Sequence, residues 1–206
     1  RILPLRDSVI VLKQDGVFRM SGDGLSSFSI SPLDTTVICV APSSARIINN
    51  QVIFLSNQGV CLVTESSVQI VSRKIEDVIQ PILGISTIAT ETSAVTYESE
   101  RFYYLTTILP NETTATVTYI YNVLNDTWVT SDILLAQGEV GPADTLYIIT
   151  DGNKIAKERK NQTRLDWTGQ NYAATITSVA ADLMSAIVSL PASVTPEAGD
   201  VLLKAN

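Results

Sequence analysis

The chain has 206 residues, 45% of them hydrophobic, which lets it bury a sizeable core and hold one large β domain or one domain plus part of a second. Charged residues make up only 17% and the formal net charge is -7, which argues against a surface built to grip nucleic-acid phosphates with clustered Lys and Arg but leaves open an acidic wall past which DNA slides. The chain has no histidine, so it lacks the usual general base near neutral pH, the commonest zinc ligand and the base of Ser-His and Cys-His pairs, and with them most familiar hydrolase constellations.

Apolar runs rich in Val, Ile, Thr, Tyr and Phe, each bounded by Gly, Asn, Asp, Ser or Pro, follow one another along the chain as they do in an all-β meander. Val9 to Leu12, a turn at Gln14-Asp15-Gly16 and Val17 to Met20 predict a hairpin, and Phe28 to Ile30 a third strand. The pattern returns 43 residues later, where Val52 to Leu55 matches Val9 to Leu12 and Gln58-Gly59-Val60 matches Asp15-Gly16-Val17, with Ser67 to Val71 as the third strand. Cys39 and Cys61 fall in apolar strand-like runs and read as free thiols of the interior rather than as a disulfide framework. Ile75 to Ile79 predicts a short helix that Pro81 stops. A third unit runs through Ala94 to Tyr97, Phe102 to Leu105 and Thr116 to Tyr121 and closes at Trp128. A fourth begins at Thr145 to Ile149, turns at Asp151-Gly152-Asn153 and enters Lys154-Ile155.

Past Lys157 the texture changes to a polar connector, then Tyr172 to Val179 alternates and Asp182 to Leu190 is apolar. There is no run of about 18 apolar residues and no basic region ahead of an apolar stretch, so neither a membrane span nor a signal peptide is visible. Arg1 in place of Met, and an apolar Val201 to Leu203 run broken off at Asn206, read as a fragment or a processed product, with any targeting signal outside it.

A small sheet cannot cover both of its faces alone, so repeated sheets stack, and a spacing of roughly 40 to 50 residues per four-stranded unit is that of propeller blades. The expected fold is all-β: a partial or irregular β-propeller of antiparallel blades over 1–160, a connector over 161–171, and the incomplete start of a second, platform-type β-rich domain over 172–206. Four blades are fewer than most propellers need, and further blades are expected from elsewhere in a longer parent chain. A β-sandwich made from the same strands is the alternative.

Few residues point to chemistry. Asp15, Asp23, Asp34, Asp126, Asp144 and Asp151 sit in turns, where a short acidic side chain caps its own backbone. Gly22-Asp23-Gly24 and Asp151-Gly152-Asn153 lack the acidic series and distal Glu of a calcium loop. No phosphate cradle and no Cys-x-x-Cys pair occurs, so no catalytic, cofactor-binding or metal-binding residue is expected, and no cofactor. Sequons at Asn111, Asn125 and Asn161 matter only in a eukaryotic secretory pathway. Lys157, Arg159, Lys160 and Arg164 form the basic cluster, either a solvated connector or a contact between subunits or domains. Tyr103 and Tyr104 must point to opposite faces of their strand. A Trp following the Asn122 to Thr127 turn is placed to pack between sheets, as in kelch-like blades.

One family shares these features. Val17 to Asp23, Phe28 to Pro32, Asn50 to Gly59, Ile70 to Arg73 with Ile75-Glu76, then Tyr97 to Arg101 before an aromatic strand and Lys157 to Asn161, resemble the propeller of the tail nozzle proteins of short-tailed phages, the tail tubular protein B and packaged-DNA stabilisation group. The resemblance covers roughly residues 1–165, and no single motif in it is diagnostic. It implies a non-enzymatic virion structural protein located in the tail: a homo-oligomeric ring, typically a hexamer, below an adaptor ring and beside tail fibre or needle proteins, through which viral DNA passes without specific binding. Family members are several times longer than this chain. A carbohydrate-binding propeller, a lectin or adhesin on a virion or cell surface, is the alternative, and a glycosidase is a third reading that needs two acids facing each other in a cleft.

Overall fold

A computed structural model describes residues 1–24, 27–131, 133–135, 137–141, 144–150, 154–157, 175–179 and 186–189. The chain divides into two compact units, Arg1–Lys160 and Asn161–Asn206. It is all-β, and within the first unit the strands form four antiparallel sheets in series, not the two facing sheets of a sandwich.

Each sheet is an up-and-down meander of strands adjacent in sequence. Sheet 1 holds β1 (Ile2–Pro4), β2 (Val9–Lys13), β3 (Gly16–Ser21) and β4 (Ser29–Asp34), and sheet 2 holds β5 (Arg46–Ile48), β6 (Gln51–Ser56), β7 (Gly59–Val63) and β8 (Val68–Ile70). Sheet 3 holds β9 (Ser93–Tyr97), β10 (Phe102–Ile108), β11 (Ala115–Asn122) and β12 (Thr127–Ser131). Sheet 4 has β13 (Gln137–Gly141), β14 (Thr145–Thr150) and β15 (Lys154–Lys157) among its described residues. In the second unit β16 (Thr175–Val179) pairs antiparallel with β17 (Ala186–Ser189).

The expected hairpins are present, but Phe28 to Ile30 leads into the fourth strand of its sheet and not the third. A short first strand, β1 or β5, precedes the strand taken as first from the sequence in sheets 1 and 2, and β13 does so in sheet 4. The β2–β3 turn needs Gly16: its φ is +134°, and a Cβ there would stand 2.5 Å from the Asp34 carbonyl oxygen. Asn49 and Asn50, both at positive φ, make the two-residue β5–β6 turn that matches strand twist.

Period-two alternation sends the two faces of a strand into different cores. In β6, Val52 and Phe54 pack toward sheet 1 with Leu3, Ile10 and Val17, while Ile53 and Leu55 pack toward sheet 3 with Leu105 and Tyr119. In β10, Tyr103 enters that second core and Tyr104 the core shared with sheet 4, where Leu146 lies, as the alternation requires. Each fully buried Ile, Leu or Phe in these seams contributes roughly 1.5–3 kcal/mol. Strands β6 and β10 are therefore buried on both faces.

Sheets 2 and 3 are joined by a 3₁₀ turn at Ser72–Ile75, α1 (Glu76–Ile79), a 3₁₀ turn at Gln80–Ile82 and α2 (Ile88–Glu91). Pro81 ends the α-helical geometry but not the coil, because a 3₁₀ turn accepts proline in its first positions and carries the chain on. Ile79, Ile82 and Ile88 cap the core between the two sheets. Both cysteines are free: Cys61 is buried and Cys39 half-buried. Burial pushes the Cys39 thiol up to about 11.

Candidate functional site

The first strands of the four sheets lie together. β9 packs beside both β5 and β13, and a cavity of about 500 Å³ is walled by Leu3 of β1, Arg46 of β5, Thr96 of β9 and Val140 of β13. A second cavity of about 800 Å³ shares Arg1, Arg46, Gly138 and Glu139 with it and widens to a hydroxyl-bearing rim that includes Ser43, Thr90 and Ser93. The two form one recess with Arg1, Arg46 and Glu139 where they meet.

Arg46 is half-buried on β5 and donates from Nη1 to the Ala45 carbonyl at 3.1 Å. Its guanidinium is pulled below the usual arginine value, first by burial and then by the charge of Arg1, while Glu139 acts in the opposite sense. Three further acids line the recess. Glu91 accepts from the Ala115 amide at 3.2 Å, Glu98 from the Asn49 amide at 3.1 Å, and Asp144 from the Ser99 hydroxyl at 2.7 Å. Two cations, carboxylates and a rim of hydroxyls can hold a small polar molecule by hydrogen bonds. Among the described residues no group of three or more His, Cys, Asp or Glu is placed to hold a metal ion.

The acids expected in turns divide between turns and recess. Asp34 Oδ1 accepts from the Thr36 amide at 2.7 Å, the Thr36 hydroxyl at 2.7 Å and the Val37 amide at 3.2 Å, and these bonds hold its carboxyl below the ordinary range. The Ser27 hydroxyl donates to Asp23 Oδ1 at 2.7 Å and accepts from the Asp23 and Gly24 amides, so that loop is closed on itself as a hairpin turn. Asp15 is paired with Lys13 at 3.0 Å. Asp144, at φ +52°, is the exception: it sits in a turn and also lines the recess. Asp151 to Asn153 lie outside the described residues.

Of the basic cluster, Lys157 ends β15, opposite Tyr147 in the ladder, and Arg159, Lys160 and Arg164 lie outside the described residues. Trp128 occupies a seam. Its ring stacks on Tyr121 at 4.7 Å between centroids, and its Nε1 donates to the Val71 carbonyl at 3.0 Å, tying sheet 3 to the end of sheet 2. Lys74 reaches Asp126 Oδ2 at 2.6 Å nearby. Local sequence does not mark the recess residues Arg1, Arg46 and Glu139, because Arg1 stands just before β1 while Arg46 and Glu139 lie on β5 and β13, the distant first strands of their sheets.

No family model and no curated protein matches the chain. Among the described residues no helix is long and apolar enough to cross a membrane.

Proposed function

We propose that the chain is part of a virion structural protein, a tail nozzle subunit of a short-tailed phage, whose sheets are blades of a partial β-propeller. The observation that carries the reading is the array itself: sheets of like meander topology stand in series with their first strands around a common recess, the placement a propeller gives its innermost strands. The segments in which the chain resembles nozzle proteins fall mainly on β3, β4, β6 and their turns, in sheets 1 and 2. In this reading copies of the subunit form a ring, a hexamer, below an adaptor ring and beside tail fibre or needle proteins. Viral DNA passes along its axis without specific binding and without turnover chemistry. The net charge of -7 supports passage, since a wall of the same sign as the phosphates holds no duplex back.

The test is the mass of the full-length polypeptide by light scattering, with negative-stain images taken in the presence of candidate adaptor rings. A closed ring with an open axial channel is expected, and a monomer that never assembles overturns the reading. A carbohydrate-binding propeller is supported by the hydroxyl-rimmed recess of about 800 Å³. It lacks an aromatic platform at Trp128, which is committed to Tyr121 and Val71. Glycan-array binding that Arg46→Ala abolishes would favour it.

A further inference from the structure

The recess holds two cations that the chain does not neutralise. Among the described residues neither the Arg1 nor the Arg46 guanidinium forms an ion pair, and Arg46 makes a single hydrogen bond, to the Ala45 carbonyl. Burial first, and the like charge of Arg1 after it, work against the charged form of Arg46. A guanidinium so placed keeps a planar fork of N–H donors that matches a carboxylate. The acids of the recess do not fill it: Glu91 and Glu98 accept from main-chain amides and Asp144 from Ser99. Together with Glu139 they outnumber the two arginines among the described lining residues. One negative charge seated on the arginines is therefore favoured, and a dianion or a polyanion is repelled.

Sheet 4 supplies the opposite wall. The ladder register sets Gln137, Ile149 and Ile155 in one row of a face and Glu139, Tyr147 and Lys157 in the next, and all of these except Lys157 line the recess. The other face of the sheet, with Val140, Leu146 and Ile148, packs on sheet 3. Ile155 is 76% and Tyr147 41% exposed, so an apolar surface lies open beside Gln137 and Glu139. The Tyr147 ring lies across Gly141, where a Cβ would stand 2.9 Å from Cε2, and is thereby held as a flat platform. Among the described residues the side chains of Ser43, Thr114 and Gln137 form no hydrogen bond within the chain.

We infer that the recess is a binding site for a sugar acid, whose carboxylate lies on Arg1 and Arg46, whose hydroxyls reach Gln137, Glu139 and Ser43, and whose apolar ring face rests on Tyr147 and Ile155. Its two parts, about 800 and about 500 Å³, have the size of a small-molecule site. Each half of the ligand answers a different wall. Inorganic phosphate would use the arginines and nothing on sheet 4, and a neutral sugar would use sheet 4 and leave the arginines without a counter-charge. The inference rests on the carbohydrate-binding reading of the recess and does not depend on ring formation.

Amide chemical-shift titration of the 206-residue chain tests it, with glucuronate, galacturonate and mannuronate set against glucose, galactose and mannose, and with inorganic phosphate. At least one hexuronate is expected to shift Arg46, Glu139 and Tyr147 and to bind about tenfold or more tighter than its neutral parent and than phosphate. Equal affinity for hexuronate and parent overturns the inference and leaves the carbohydrate reading standing. Equal affinity for hexuronate and phosphate overturns it by reducing the recess to an anion hole. Binding of no sugar at all overturns both the inference and the carbohydrate reading. Arg46→Gln should weaken hexuronate binding about tenfold and leave the neutral parent's unchanged. Arg1→Gln, at an exposed position whose substitution spares the core, should do the same, and unaltered hexuronate binding in this variant also overturns the assignment.

Discussion

The hydroxyl of Tyr103, wholly buried in sheet 3, donates to the main-chain carbonyl of Ser44 at 2.9 Å across the seam to sheet 2. Ser44 is fixed in turn: its own hydroxyl donates to the Ala41 carbonyl at 2.6 Å and accepts from the Leu55 amide at 2.8 Å. The seam is therefore registered by a polar chain inside an apolar core. Tyr103→Phe leaves the carbonyl without its partner and is expected to destabilise the chain by about 1–3 kcal/mol, read from urea unfolding midpoints at constant m-value.

Trp128 serves the outer end of the same seam, through its stacking on Tyr121 and its bond to Val71. Trp128→Phe keeps an aromatic against Tyr121 but loses the bond and should cost about 1 kcal/mol. Trp128→Ala also loses the stacking and the buried area, and its midpoint should fall further, with a combined loss of about 2–4 kcal/mol.

Gly16→Ala introduces a Cβ against the Asp34 carbonyl in a backbone conformation at φ +134°. The substitution is expected to destabilise by more than about 1 kcal/mol and to open the β2–β3 hairpin first. Faster amide exchange in Val9 to Met20 than in sheet 3 would report that order. Unchanged exchange there would contradict the account of the turn.

Asp15, Asp23, Asp34 and Asp126 all have carboxyls held below the ordinary value near 3.8, chiefly by hydrogen bonds from Lys13, Ser27, Thr36 and Lys74 respectively. A folded value below the unfolded one means that the unfolded chain binds protons first as pH falls. The stability these groups add is fully present above about pH 4 to 5 and is lost as pH drops through their folded values. The melting temperature should fall below about pH 4, and Asp34→Asn should flatten part of that fall. A melting curve with the same pH slope in the variant would refute the role given to Asp34.

Much of the fold could be read from residue order because strand alternation and turn chemistry are local. Val9 to Leu12 and Val52 to Leu55 carry the alternation, Gly16 and Gly59 supply the positive φ their turns need, and the opposed positions of Tyr103 and Tyr104 follow from the pleat. The strands that local sequence does not mark are β1, β5 and β13. The first two have three residues each, and β13 reads Gln-Gly-Glu-Val-Gly, so none offers a run long or apolar enough to register. The same shortness hid the recess, whose walls those strands build. Arg46 and Glu139 are neighbours only through the stacking of sheets, a relation that no window of local sequence contains. The basic cluster drew attention for its composition alone, and of its four members only Lys157 falls on a described strand.

Every described ladder joins strands that follow one another along the chain. The loops that must close to build any one sheet are therefore short, and such topologies gain their contacts early in folding. A sheet can assemble as soon as its last strand leaves the ribosome, dock its inner face on the sheet made before it, and offer the other face to the one still being synthesised. Growth of this kind leaves only the faces at the two ends of the series uncovered at each moment, which limits aggregation during synthesis.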